Sequence, residues 1–399
     1  MDYDFCIIGG GIVGLATAIA IQQRWPECRL ALVEKEAELG LHQSGHNSGV
    51  IHSGIYYPPG SLKAKLCHQG EAETKAFCRQ HNIDYVECGK LIVATTQLEL
   101  DRLKALAERA EKNQVRAKWL TRDELIAQEP NIIGLAALEV QSTGIVDYRQ
   151  VCEHMGQQLV SSGAKLHLGH AVGKISSSTE GNEVTFGQQS LSARYLVACA
   201  GLQSDRIARL AGLDVSHKII PFRGEYYRLP AEKNQIVNKL IYPVPDPELP
   251  FLGIHLTRMV DGSITLGPNA VLGFSREGYR KGSMRPDDIA DYLRFLGFWR
   301  LLKSHFQSAL NEFANSLIKK RYLRQCQKYC PSLTKDDLQP YPAGIRAQAV
   351  LKDGSLVHDF LFLEAPRMLH VCNAPSPAAT SAIPIGRMIA DKLAEQCML

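Results

Sequence analysis

"YDFCIIGGGIVGLATAIAIQQRWPECRLALVEKE", Tyr3–Glu36, decides the fold. Phe5 to Ile8 is a short apolar run, as a buried strand should be. Gly9, Gly11 and Gly14 follow in G-x-G-x-x-G spacing. Ile12 to Gln22 is apolar on most faces and reads as a helix packed on a sheet. Arg29 to Val33 is a second strand, and Glu34 stands at its end, twenty residues after Gly14.

Each part has a physical task. Gly9 permits the tight turn, Gly11 lets backbone approach a pyrophosphate, and Gly14 lets helix and strand pack closely. The helix start offers unpaired N–H groups and a positive dipole end. Glu34 can accept from two ribose hydroxyls, and its charge opposes a 2′-phosphate. Together these predict a dinucleotide site that disfavours NADP. The fingerprint serves FAD and NAD alike. Its place within ten residues of the start, with no second copy downstream, favours a permanently held FAD.

The chain of 399 residues suggests two domains or one interleaved pair. Hydrophobic residues make up 45% and charged residues 22%, as in ordinary globular proteins. A net charge of +4, without zinc-finger spacing or an aromatic RNA motif, gives no reason to expect nucleic acid. Eleven cysteines contain no C-x-x-C pair, so reduced thiols facing a cytosolic compartment are expected. Cys326 and Cys330 fall at helical spacing without further ligands, and no metal site is expected. No signal peptide is apparent, and no apolar run reaches the roughly 18 residues of a bilayer span.

Two distant segments read as parts of the same site. "ARYLVACAGLQSD" is a strand, Tyr195 to Ala200, ending at Gly201 where backbone passes close to something. "MLHVCNAPSPAATSAIPIGRMIADKL" is a strand, a small-residue turn over Asn373 to Pro384, and a helix. Small residues let backbone amides reach a flat ring, and the helix start suits the anionic edge of a reduced flavin. Between Glu34 and these pieces lies "SGHNSGVIHSGIYY", Ser44–Tyr57, polar but without formal charge.

These motifs resemble the D-amino-acid oxidase-like FAD oxidoreductases. Within them, "HQSGHNSGVIHSGIYYPPGSLKAKLC", "PFRGEYYRL", "LGIHLTRMVDGS", "LGPNAV" and "NAPSPAATSAIPIG" look very like the L-2-hydroxyglutarate dehydrogenase/oxidase family. The resemblance runs over most of the chain. It implies non-covalent FAD, oxidation of L-2-hydroxyglutarate to 2-oxoglutarate, and electron transfer to a membrane quinone or oxygen. Relatives with flavin attached through His or Cys leave covalent attachment as a minor alternative. The loop after the second strand would then bind pyrophosphate and flavin edge through Ser44, His46, Asn47 and Ser48. Val172, Ala200 and Gly201 would join it, with Ser376, Ala378, Ala379 and Thr380 from the C-terminal turn.

Oxidising a 2-hydroxy acid needs a cation for the carboxylate and a base for the hydroxyl proton; glutarate adds a second carboxylate to be held. Arg346 in "AGIRAQ" is the expected C1 clamp, although many relatives carry proline where this chain has Ala347. Arg223 is the candidate for the distal carboxylate, with pairing to Glu225 as its bland alternative. On a strand, His255, Thr257 and Met259 share a face. His255 and Thr257 form a plausible substrate wall, with Tyr226 and Tyr242 lining the same cavity. The base stays open between His52 and His255.

The expected architecture is α/β: a Rossmann-like FAD-binding domain with an interleaved substrate domain on a largely antiparallel sheet. Residues 1–85, 148–215 and 340–399 are assigned to the first, 86–147 and 216–339 to the second. Residues 287–330 read as helices, carrying eight basic residues against two acids between Ile289 and Tyr329. With apolar residues such as Trp299, Leu310, Phe313 and Leu317 at helical spacing, they either cover the substrate sheet or lie on an anionic bilayer. The expected location is therefore cytoplasmic, peripheral on the inner membrane. Two other functions fit the residues: an amine oxidase of the glycine or sarcosine type, and a flavin-binding module without turnover.

Overall fold

Strands Tyr3–Ile8, Leu30–Val33, Lys165–His167, Gln189–Ala198 and Met368–Asn373 lie parallel in one sheet. The computed structural model that shows this describes residues 1–247, 253–306, 312–314, 316 and 318–397. Two antiparallel strands, Val172–Ser177 and Asn182–Phe186, extend one side of the sheet, and Leu361–Ala365 pairs with Met368–Asn373. Helices Ile12–Arg24, Tyr148–Ser161 and Ala382–Cys397 cover it, burying Leu15, Ile21, Val151, Met155, Ile385 and Ile389 against Phe5, Ile7 and Leu32. Parallel strands covered by helices must be apolar on both faces, which is why Leu30–Val33 is buried throughout. Their carboxyl ends open on a common crevice, the usual ligand position in such sheets.

The second sheet is largely antiparallel. Its path runs Val271–Leu272, His217–Arg228, Ile264–Gly267, His255–Arg258, Leu240–Pro243, Lys90–Ala94, Ala136–Val140 and Ala117–Thr121. Leu240–Pro243 and Lys90–Ala94 form its parallel pair. The expected boundary at residue 340 is corrected here. Gln339–Leu351 pairs antiparallel along His217–Arg228, from His217 opposite Leu351 to Arg228 opposite Gln339. The strand carrying Arg346 therefore belongs to the second sheet, because a neighbour twelve residues long satisfies its backbone.

A small sheet of Val50–Ile51, Gly144–Val146 and Tyr85–Val86 pins the Ser44–Tyr57 loop between the two large ones. The basic stretch forms helices Pro286–Leu293, Leu296–Ser304 and Lys319–Gln327. Tyr292, Phe298 and Leu301 pack on Ile220 and Val350 of the second sheet. Leu293, Leu296 and Trp299 face solvent beside Arg294, Arg300 and Lys303. Leu310 and Leu317 lie outside the described residues.

Ion pairs join the layers. Arg276, 2% exposed, reaches Asp205 at 2.5 Å and Asp291 at 2.8 Å. Asp205 sits in the Ser204–Leu210 helix and Asp291 in Pro286–Leu293. Among the described residues, no helix is long and apolar enough to cross a membrane.

Candidate functional site

A cavity of about 950 Å³ runs from the glycine turn to the second sheet. Its nucleotide end is shaped by close backbone approach. Gly9 has φ +111°, and a Cβ there would come within 2.4 Å of the Cys199 carbonyl oxygen. A Cβ on Gly14 would lie 2.0 Å from the Gly9 carbonyl oxygen. Gly11, Ile12 and Val13 at the helix start line the cavity, so its positive end faces the space a pyrophosphate would fill. Glu34 lines it too, held by N–H groups of Gly10 at 2.6 Å and Glu36 at 2.9 Å. Val172, Ala200 and Gly201 complete this wall. Side chains are missing where backbone must pass closely, which fits a dinucleotide.

The Ser44–Tyr57 loop divides its labour. The Ser44 hydroxyl accepts the Ile12 N–H at 3.0 Å, fastening the loop to the helix start. Asn47 donates to the Ser44 and Gln43 carbonyls and accepts from Gly49, so its amide holds the loop itself. His46 stacks on Tyr279, centroids 3.8 Å apart. His46, Asn47 and Ser48 still border the cavity. Thr380 ties the loop to the C-terminal turn: its hydroxyl receives the His52 N–H at 3.1 Å and lies 3.0 Å from the Tyr148 hydroxyl. Ser376, Ala378, Ala379 and Thr380 line the same wall.

The other end gathers His52, Tyr56, Tyr57, Tyr226, Tyr242, His255 and Arg346. His255 Nδ1 lies 3.2 Å from the Gly253 carbonyl. A carbonyl only accepts, so Nδ1 carries the proton and Nε2 keeps its lone pair. Nε2 is buried and finds no partner among the described residues. Burial pushes the His255 pKa down to about 4, helped by the Lys90 and Arg346 cations and opposed by the Gly253 carbonyl. Burial pushes His52 down to about 3, with Lys90 and His255 adding to it. Both rings are therefore neutral at physiological pH. Arg346 lines the cavity and is exposed. Desolvation by the surrounding protein lowers its pKa, against which the Tyr226 and Tyr57 phenols act. Burial lifts Tyr226 to about 12, leaving a neutral hydroxyl beside the guanidinium.

Two expected substrate residues stand elsewhere. Arg223 donates to the carbonyls of Gly278 at 3.2 Å and Tyr279 at 3.4 Å, and also to that of Arg280. The 278–280 loop thus consumes its fork, and the side chain does not line the cavity. Thr257 is 1% exposed beside Tyr242 and also lies behind the wall. Two cations escaped the sequence reading. Lys63 lines the cavity with its ammonium 6.0 Å from the Tyr57 ring centre. Lys90 is buried with its ammonium over the Tyr56 and Tyr242 rings at 4.5 and 5.3 Å. The available signal for Lys90 was a charge opening the apolar strand "KLIVA". Glu36, His42 and Glu277 bring possible metal ligands within 4.8 Å of one another. Lys35 already supplies positive charge there, at 2.6 Å from Glu36 and 2.8 Å from Glu277.

Residues 4–392 match the family described as FAD dependent oxidoreductase. The chain is 52% identical to the L-2-hydroxyglutarate dehydrogenase of Salmonella houtenae over 392 residues, 98% of this chain and 93% of that one. Among solved structures it resembles L-alpha-glycerophosphate oxidase of Mycoplasma pneumoniae, with a TM-score of 0.78, 23% identity, and 98% and 94% of the two chains covered. Glycine oxidase of Geobacillus kaustophilus superposes with a TM-score of 0.73 at 18% identity, covering 99% and 95%. Those two likenesses concern the fold.

Proposed function

We infer the reaction from one premise: the chain belongs to the FAD dependent oxidoreductase family, and its cofactor is FAD. It is a dehydrogenase that oxidises L-2-hydroxyglutarate to 2-oxoglutarate. The observation that carries this reading is the pairing of Arg346 with two neutral imidazoles at one end of a cavity whose other end is the glycine cradle. The 52% identity to a dehydrogenase of that name specifies the substrate.

When bound, FAD supplies the two-electron acceptor that takes the hydride from Cα. The rest of the chemistry belongs to side chains. Arg346 binds the C1 carboxylate, and the neutral Tyr226 and Tyr57 hydroxyls beside it add donors. An imidazole takes the hydroxyl proton as the C–O bond becomes a carbonyl; His52 and His255 both meet that need. Tyr242, stacked on His255, fixes its plane. Gly9, Gly11, Gly14, Glu34, Ser44 and the 376–380 turn hold the cofactor. We take the nucleotide sheet and the second sheet as two interleaved units, with the 339–351 strand assigned to the second.

For the electron acceptor, we favour a membrane quinone over oxygen. Leu293, Leu296 and Trp299 stand exposed among Arg294, Arg300 and Lys303, a composition suited to an anionic bilayer surface. The protein would then be peripheral on the cytoplasmic face of the inner membrane. The test of the reaction is anaerobic bleaching of the yellow protein over a panel of D- and L-2-hydroxy acids and amino acids. L-2-hydroxyglutarate should bleach it and quinone should restore the colour. Bleaching by an amino acid instead points to an amine oxidase, and no bleaching at all to a binding module.

A further inference from the structure

Lys90 opens the Lys90–Ala94 strand and is 1% exposed. A buried ammonium costs several kcal/mol unless a counter-charge meets it. None of the described residues forms an ion pair with Lys90; Glu71, the carboxylate that acts on it, is paired with Lys75 at 2.9 Å. Lys90 rests instead on the faces of Tyr56 and Tyr242; those two rings line the cavity, and Lys90 stands directly behind them.

The same spot holds two polar atoms that find no partner among the described residues and belong to residues lining the cavity: Tyr56 Oη and His255 Nε2. The first is a hydroxyl able to donate to an anion. His255 feels the charge of both Lys90 and Arg346, and it stacks on Tyr242, the ring that also carries Lys90. A dicarboxylate with one carboxylate at each cation would bring its hydroxyl-bearing carbon beside the imidazoles. The other cations suit this less well. Arg223 is spent on the 278–280 carbonyls, and Lys63 is only half-buried, near the exposed Asp359.

We propose that Lys90 is the cation that receives the second carboxylate of the substrate, and so selects a dicarboxylate over a monocarboxylate. This rests on the dicarboxylate reading given above. The ammonium is short of a counter-charge, and the substrate supplies one. Tyr56, which lines the cavity, adds a hydroxyl donor. Removing one partner of a buried charge pair typically costs enough to change affinity by about 100-fold.

The experiment compares L-2-hydroxyglutarate with L-2-hydroxyvalerate, which carries a methyl in place of the distal carboxylate, in FAD-loaded wild type, K90M and K90R. Wild type should prefer the dicarboxylate. K90M should lose about 100-fold of that preference in kcat/KM, and K90R should recover most of it. Glutarate titrated against the flavin spectrum should bind K90M more weakly by a similar factor. A K90M protein that keeps its preference, or that loses both substrates equally, overturns the assignment. If wild type itself shows no preference, the dicarboxylate reading falls and the assignment falls with it.

Should K90M fail to hold FAD, wild-type glutarate binding against pH decides, with K90R as the control. Burial sets the Lys90 pKa at about 8, opposed by Cys67 and Glu71. The other facing groups are His52 and His255, already neutral, and Tyr56 and Tyr242, whose pKa values burial raises. Affinity should fall as pH rises from about 7 to 9 and stay level in K90R. A level wild-type profile overturns the assignment.

Discussion

The imidazole of His255 lies stacked on the ring of Tyr242, centroids 4.1 Å apart and planes 21° from parallel. That contact, with burial, keeps the ring dry and neutral. The acid limb of kcat/KM reports the free enzyme's base. It should therefore not appear near the ordinary histidine pKa of ~6.5. We expect a level rate from neutrality down to about pH 5, since the two candidate bases titrate at about 4 and about 3. A limb centred near 6.5 would exclude both. H52A and H255A separate them, because the variant that keeps wild-type turnover with FAD bound has not lost the base.

The same depressed values act on stability. His52, His255 and His370 are neutral in the fold, with His370 pushed down to about 4 by burial. The unfolded chain binds their protons from ~6.5 downward, so it holds more protons than the fold in that window. Their contribution is complete above ~6.5 and is lost as pH falls toward 4 and then 3. Urea midpoints should drop steadily from pH 7 to 5, and replacing His370 with a neutral isostere should flatten part of that slope.

Arg346→Met should lower kcat/KM for the hydroxy acid by roughly 100- to 1000-fold, the range for truncating a buried charge-assisted contact. Arg346→Lys should recover only part, since an ammonium lacks the planar fork. FAD absorbance should be retained in both. Anaerobic stopped-flow bleaching measures the loss directly.

Gly14→Ala places a methyl 2.0 Å from the Gly9 carbonyl oxygen, with rigid backbone on both sides. Helix and strand must separate, at a cost of about 1–3 kcal/mol. The expected product is a colourless, less stable protein. Absorbance at the flavin bands and a thermal melt check both effects.

Arg276→Met takes the nearer guanidinium from fully buried Asp205 and leaves it Arg209 at 3.5 Å and the Ile219 N–H at 3.3 Å. The expected loss in urea unfolding is at most about 3–5 kcal/mol, the cost of a buried charge left wholly unpaired. Replacing Asp205 with Leu in the same chain should restore part of it, because the poorly compensated carboxylate is then gone.

Wild type should pellet with anionic vesicles at low ionic strength, and salt should release it. Leu296→Asp with Trp299→Asp should abolish pelleting while leaving anaerobic bleaching intact. A wild type that stays in the supernatant removes the membrane surface from the proposal.

The nucleotide half was readable because its signals are local. Gly9, Gly11, Gly14 and Glu34 fall within one strand–helix–strand unit whose spacing is itself the signal, although the closest contact at Gly9 is the Cys199 carbonyl of a distant strand. The small residues of the 376–380 turn spoke the same way. In the substrate half, residue type alone pointed to Arg346 and His255, and both line the cavity. Arg223 misled because an arginine fork serves carbonyls as well as carboxylates, and only the path of residues 278–280 decides between them.

From its own order of residues, then, the chain determined a glycine cradle, an acid at the end of the second strand, a neutral polar cover and two kinds of sheet. The tertiary structure decided which charges meet. It set Arg276 against Asp205, moved the Gln339–Leu351 strand into the second sheet, and placed Lys90 between Tyr56 and Tyr242. A lysine in an apolar strand carries no mark of the ring it will rest on. Its neighbours come from distant segments, and only the pairing of strands and the closing of the cavity bring them within a few ångströms.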